Sequence, residues 1–207
     1  AGIRQAAWQL VTAQEVATAM DAVLDRLENA FPYPIFIKPA GTGSSVGVSK
    51  AGNREKLKAA LTAAGKYDSK ILVEEFIKGK EIEVAVLGNS DPVASICGEI
   101  DSGVEFYDYD AQYVTDTSTA YIPARICEDL QARIRDAAVR VFKAVGCQGL
   151  SRVDFFATED GKLVFNEINT IPGFTSISMY PKLFTASGIS YSRLIDRLLE
   201  LALEAGK

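Results

Sequence analysis

Histidine is missing from all 207 residues. That excludes His-based triads, zinc sites with His ligands and imidazole general bases. Any chemistry must run on carboxylates, Lys, Arg, amides, hydroxyls and bound ions. No apolar run reaches membrane-spanning length, so a soluble chain without a membrane partner is expected. A charged-then-apolar leader of the secretory kind is also absent. Cysteine is scarce: Cys97, Cys127 and Cys147 are odd in number and show no CxxC spacing. They read as reduced thiols of a cytoplasmic protein. Lys and Arg total 22 against 27 Asp and Glu, for a net charge of −5, and they nowhere cluster. Neutralising phosphates takes clustered basic residues, so no nucleic-acid partner is expected. There is no internal repeat and no low-complexity tract.

What is present suits a globular protein: 48% hydrophobic and 24% charged residues, in a length that fits one large domain or two small ones. The chain opens on Ala1 rather than Met and reads as a piece of a longer one. Trp8 to Val11 reads as a strand, and Thr12 with Glu15 has capping-box spacing. Val16, Ala19, Met20, Val23, Leu24 and Leu27 then predict one helix, ended by Pro32 and Pro34. Strands are expected at Pro34–Lys38, Lys70–Phe76 and Glu81–Leu87, and a helix at Arg54–Ala64. A further helix is expected at Glu128–Val145, with Leu130, Ile134, Ala137, Val141 and Val145 inward. The chain ends in helix, with Leu194, Leu198, Leu201 and Leu203 to pack. Separate helices and antiparallel-looking strands make this an α+β chain.

The sharpest signal is Ser151–Asn169, SRVDFFATEDGKLVFNEIN. Asp160-Gly161 predicts a two-residue hairpin turn. In that register Asp154 faces Glu167, Arg152 faces Asn169, and all four share one face. Two facing carboxylates repel unless something neutralises them. A divalent cation does so, and oxygen ligands of this kind suit Mg2+. Arg152 adds a planar donor fork suited to an oxyanion or phosphate. The plainer alternative is a solvent-facing hairpin with an ordinary ion pair; the apolar neighbours Val153, Phe155, Val164, Phe165 and Ile168 weigh against it.

Lys38 ends the apolar run Ile35–Ile37 and precedes a loop of small residues, Gly41 to Gly47. Such a loop lets backbone N–H groups approach phosphates closely, with the ammonium nearby. The order is not that of a P-loop. Further on, the strand edge from Ile71 could offer backbone groups to an adenine, with Phe76 and Ile77 over the ring and Glu81 on the ribose, or the stretch could be plain core with an acidic rim.

The segments KPAGTGSSVGVSK, VEEFIKGKEIEVAVLG, YDYDAQY, GLSRVDFF and FNEINTIPGFTSISMYPKL occur in the order found in D-alanine–D-alanine ligases. The resemblance runs from about Ala1 to near Lys207. It implies an ATP-grasp fold, two α+β subdomains clasping ATP between antiparallel sheets. Residues 1–88 would be the central subdomain with the phosphate loop, and 89–207 the C-terminal subdomain with the metal hairpin. The family's N-terminal domain has no counterpart here, nor has an ATP-contacting lysine that lies just before the segment matching Ala1.

By the same resemblance Lys38 is similar to the phosphate-binding lysine, and Ser44 and Ser45 lie in the flexible loop over the phosphates. Glu74, Phe76 and Ile77 correspond to the adenine pocket and Glu81 to the ribose ligand. Asp154, Glu167 and Asn169 resemble the ligands of two Mg2+ ions, with Mn2+ as a substitute. Arg152 and the Gly173 N–H resemble the oxyanion stabilisers, and Ser178 and Met179 the holders of the second D-alanine's carboxylate. Tyr113 matches a tyrosine that bonds the serine at Ser44. Gln112 departs from the lysine usual there and puts that phosphate contact in doubt. The loop from Tyr107 to Thr119 is expected to be mobile without ligand.

The implied activity joins two D-alanines through an acyl phosphate for peptidoglycan precursors, with these residues inactive or weak alone and the full-length enzyme allowing a homodimer. Two alternatives stay open: another ATP-grasp carboxylate–amine ligase, and a nucleotide-binding module without catalysis.

Overall fold

The computed structural model describes residues 1–43, 46–101 and 119–206. The expectations placed on Ser44, Ser45, Gln112, Tyr113 and the Tyr107–Thr119 loop, apart from Thr119 itself, lie outside the described residues. Two separate antiparallel sheets with flanking helices make the fold α+β, as expected. Among the described residues, contacts group 6–77 into one unit and 1–5, 78–101 and 119–206 into another. No helix of the described residues is long and apolar enough to cross a membrane.

In the first unit, β1 (Trp8–Thr12), β4 (Lys70–Glu75), β2 (Ile35–Pro39) and β3 (Ser49–Ala51) form a sheet in that order. Helices α1 (Ala13–Thr18), α2 (Met20–Ala30) and α3 (Arg54–Ala64) accompany it. Alternation along the strands sends Ile35, Ile37, Ile71 and Val73 into the core, where they meet Val23, Leu24, Leu27, Leu57 and Leu61. The single helix expected after Thr12 is two. Ala19 leaves helical geometry at φ −145°, between α1, which buries no residue fully, and α2, which buries Val23, Leu24 and Leu27. The break re-aims the chain so that the apolar stripe of α2 reaches the core.

The capping box is present. Thr12 Oγ1 accepts from Glu15 N at 3.1 Å, and Glu15 Oε2 accepts from Thr12 N at 2.8 Å. Thr12→Ala removes one acceptor from an otherwise unpaired helix N–H. It is expected to cost about 1 kcal/mol in a urea titration; no change in midpoint would show that α1 contributes nothing to the cooperative unit.

In the second unit, β7 (Thr119–Tyr121), β6 (Val93–Asp101), β5 (Lys80–Gly88), β8 (Gly149–Ala157) and β9 (Leu163–Asn169) form the sheet in that order. Residue 88, where the first subdomain was expected to end, closes β5. The segment 1–5 runs beside β9, with Phe165 N donating to Arg4 O at 2.8 Å. Helix α4 (Glu128–Ala144) packs Leu130, Ile134, Ala137 and Val141 on one face of the sheet, against Ile82, Val84, Val153 and Phe155. Val145, expected inward, is exposed because it caps the helix beyond its last turn.

Helices α5 (Met179–Ala186) and α6 (Tyr191–Ala205) cover part of the other face, setting Tyr180, Leu183, Phe184, Leu194 and Leu201 over Ala85 and Leu87. Leu203, expected to be available for packing, is exposed. Two residues past Leu201 is roughly 200° around the helix, on the opposite side.

The hairpin differs from expectation in two offsetting ways. Thr158 N donates to Lys162 O at 3.0 Å, so the loop is the three residues Glu159, Asp160 and Gly161, with Gly161 left-handed at φ 74°. A bulge then places Asn166 as an extra residue, with Phe155 opposite Phe165 but Asp154 opposite Glu167. The inner half of the hairpin thus regains the expected pairs, Asp154 with Glu167 and Arg152 with Asn169.

Candidate functional site

Where α5 and α6 leave the second sheet uncovered, three adjacent strands present charge. Glu83 on β5 faces Asp154 on β8, which faces Glu167 on β9; one step along, Ala85, Arg152 and Asn169 stand in the same relation. Asp154 is 2% and Glu83 6% exposed. Arg152 holds Asp154 with two hydrogen bonds, Nε to Oδ1 at 2.8 Å and Nη2 to Oδ2 at 2.7 Å. Glu83 Oε1 lies 3.3 Å from Nε on one side, and Glu167 Oε1 3.8 Å from Nη2 on the other.

Three carboxylates thus surround one guanidinium, and among the described residues the buried Glu83 Oε2 has no hydrogen-bond partner. Burial, then the neighbouring Asp154 charge, push the Glu83 carboxyl well above the usual carboxylate range, while Arg152 pulls the other way. Burial works against the Arg152 charge too, yet its bond to Asp154 and the surrounding carboxylates hold it above the ordinary value.

This donor set fits Mg2+. The oxygens are hard and one-sided, and they carry more negative charge than Arg152 neutralises. Among the described residues no three His, Cys, Asp or Glu stand ready to hold a metal by themselves. Mg2+ commonly takes only one or two carboxylates and completes its shell with phosphate and water. Asp154 and Glu167 could supply the carboxylates. Asn169 Oδ1 accepts from Ile171 N at 3.1 Å and keeps a second lone pair.

In the same unit Glu81 lies two residues before Glu83 on the same side of β5, half-buried. The loop after β9 is anchored by aromatics that the sequence reading did not single out: Phe174 packs on Tyr180 and Tyr191, and Tyr191 donates to Phe174 O at 2.9 Å. Gly173 lies so close to Ser178 that an added Cβ would sit 2.9 Å from its Oγ. Ser178 Oγ accepts from Thr175 N at 3.1 Å instead of capping α5, leaving the first N–H groups of that helix uncapped by it. The Met179 side chain packs into the core beside Gly98 and Leu183. Its available contribution to a ligand is therefore its backbone N–H.

In the first unit, the sheet face away from the core carries Lys38, Glu74, Phe36 and Phe76. Lys38 Nζ lies 2.6 Å from Glu74 Oε2. Phe76 stacks on Phe36 at 5.9 Å between centroids, and Lys50 Nζ sits 4.2 Å over its ring. Ile77 follows β4 beyond the sheet. The glycine loop is tethered by Asp68, whose Oδ2 accepts from Gly41 N at 2.5 Å. That amide is therefore already engaged, a detail that no local spacing announces.

Glu83 is the main residue missed. Its signal was present: Glu81 and Glu83 alternate with Ile82 and Val84 in an otherwise apolar strand. Only the pairing of β5 with β8 shows that this acid joins Asp154.

A family model described as D-ala D-ala ligase C-terminus matches residues 1–200. The D-alanine–D-alanine ligase of Acetivibrio thermocellus is 55% identical over 99% of this chain and 54% of its own length. Among solved structures, the VanG D-Ala:D-Ser ligase from Enterococcus faecalis superimposes with a TM-score of 0.88 at 40% identity, covering 97% of this chain and 57% of that one. The D-alanine–D-alanine ligase from Coxiella burnetii gives 0.84 at 37%, covering 99% and 53%. The chain spans about half the length of the relatives it matches. With the family's motifs in order along the chain and its ATP-grasp architecture in both sheets, the chain belongs to the D-ala D-ala ligase C-terminus family.

Proposed function

We propose that the chain supplies the nucleotide- and metal-binding part of an ATP-dependent D-alanine–D-alanine ligase of the bacterial cytoplasm, serving peptidoglycan synthesis. The observation that carries this reading is the seating of Arg152 on Asp154 beside Glu167 and Asn169, a fixed positive fork among hard oxygen donors. In the reaction the first D-alanine's carboxylate attacks the γ-phosphate of ATP, the bond to the β,γ-bridging oxygen breaks, ADP leaves, and an acyl phosphate forms. The second D-alanine's amine attacks that carbonyl, gives up a proton, and phosphate leaves. No protein nucleophile is needed, so a chain without histidine can do it.

Bound Mg2+ would neutralise phosphate charge, held by Asp154, Glu167 and Asn169. Lys38 would meet the phosphates. Phe76, Ile77 and the adjoining backbone by Glu74 would take the adenine, and Glu81 the ribose hydroxyls. Arg152 and the Gly173 N–H would stabilise the oxyanion, while the start of α5 at Ser178 and Met179 would receive the acceptor's carboxylate. Placement and charge neutralisation supply the rate.

The similarity to a D-Ala:D-Ser ligase favours D-serine as a second acceptor reading. Phosphate release measured with either amino acid added to D-alanine and ATP separates the two. The binding reading is tested by calorimetric titration of Mg-ATP. Lys38→Ala is expected to weaken binding about tenfold or more, the loss of one charge-assisted contact. No heat from the folded chain at millimolar nucleotide would overturn the reading.

A further inference from the structure

Glu83 has no packing reason to be an acid. Its strand needs only apolar residues: Ile82, Val84 and Val86 face α4, and Ala85 and Leu87 lie under α5 and α6. A buried carboxylate oxygen without a hydrogen-bond partner is costly, and Glu83 Oε2 is one among the described residues. Costs of this kind persist where a site needs the group.

The contact Glu83 makes is with Arg152. That guanidinium sits between two carboxylates, Glu83 at 3.3 Å on the β5 side and the exposed Glu167 at 3.8 Å on the β9 side. Ala85, directly across from Arg152, has no bulk to stop it shifting. Without an attraction on the β5 side, the guanidinium would be drawn toward Glu167 and off its two-bond seat on Asp154. Its Nε and Nη2 are spent on that seat, and among the described residues Nη1 makes no hydrogen bond. Nη1 is thus the edge offered to a phosphate or oxyanion.

We propose that Glu83 is a positioning residue: its side-chain oxygen holds Arg152 on Asp154 from the β5 side and so sets the direction in which Nη1 is offered to the phosphate end of the nucleotide. The inference rests on the nucleotide reading above and deepens it. Glu83→Leu keeps most of the volume and removes both oxygens; Glu83→Gln keeps an oxygen of the same reach.

Calorimetric titrations with Mg-ATP and with adenosine, on the 207-residue chain, test the proposal. Glu83→Leu is expected to weaken Mg-ATP about tenfold, as loss of an orienting partner commonly does, and to leave adenosine unchanged. Glu83→Gln should restore most of the Mg-ATP affinity. In an Arg152→Ala background Glu83→Leu should add no further loss. The melting temperature of Glu83→Leu should rise while its affinity falls, a pairing that a merely structural residue would not give. Unchanged Mg-ATP affinity in Glu83→Leu, or an equal loss in the Arg152→Ala background, overturns the proposal.

If the unaltered chain binds no Mg-ATP, the nucleotide reading fails. The positioning claim is then judged on hydrogen exchange of the Arg152 Nε–H signal by NMR. Faster exchange in Glu83→Leu supports it, and an unchanged rate overturns it.

Discussion

Arg152→Ala is expected to destabilise the chain by about 3–5 kcal/mol, because it leaves the buried Asp154 carboxylate without its partner. Asp154 would lose both of its guanidinium hydrogen bonds, and Glu83 its contact with the guanidinium. Neither group can easily recover water, since both are buried in the sheet. Urea denaturation, read by circular dichroism, measures the loss. Asp154→Asn in the Arg152→Ala background should recover a substantial part of it, because the damage is the stranded charge and not the missing side-chain volume. A single-variant loss below about 1 kcal/mol, the range of a solvent-exposed pair, would show that this cluster is hydrated in solution.

The second large effect concerns pH. Burial first, then the charge of Asp154, raise the Glu83 carboxyl in the folded state from its ordinary 4.5 to about 8, with Glu81 and Glu167 adding to the rise and Arg152 opposing it. A raised folded-state pKa means that the unfolded chain releases this proton first. The contribution of Glu83 to stability is therefore full below the unfolded value and is lost as pH climbs through the folded one. In Glu83→Gln there is no proton to release. The stability difference between variant and parent should be smallest near pH 4.5 and grow toward pH 8, in favour of the variant. It should reach a few kcal/mol, on the order of the shift converted at 1.4 kcal/mol per unit. Paired denaturation curves across this range test it. Parallel stability profiles would mean that Glu83 ionises as easily in the folded protein as in the unfolded one.

Much of this was legible from periodicity. The helix Arg54–Ala64 and its buried residues Leu57, Ala60, Leu61 and Ala64 coincide with expectation. There the apolar stripe, the Asn53 cap and the surface charges all agree. Legibility failed where a backbone choice depended on distant packing. Nothing local distinguishes Ala19 from a mid-helix alanine, yet the chain breaks there. Val145 and Leu203 look like core by type, but Val145 falls past the last turn of its helix, and Leu203 lies on the side of its helix away from Leu201. The facing acids of the hairpin were readable from a turn signal and a parity count, although the turn held one residue more than supposed. Glu83 could not be placed by any count within its own segment. Its role depends on which strand lies beside it, and that pairing spans about seventy residues of sequence.

The Asn166 bulge bears on how this segment can change over time. Glu159–Gly161 at the tip and Asn166 near the base together set the phase between the two strands. Between them Phe155 meets Phe165 edge-on at 6.0 Å, and Leu163 and Phe165 lean on the α4 core, which fixes the phase of the outer half. A one-residue slip confined to that half would erase the bulge, shorten the loop to two residues and turn Phe165 to the other face. Asp154 and Glu167 would stay opposite each other throughout. The bulge is therefore a slip joint: it isolates the charged end of the hairpin from the tip. Insertions or deletions of single residues between Thr158 and Phe165 can be absorbed before they reach the acids, whereas one placed between Glu167 and Asn169 would be felt at once.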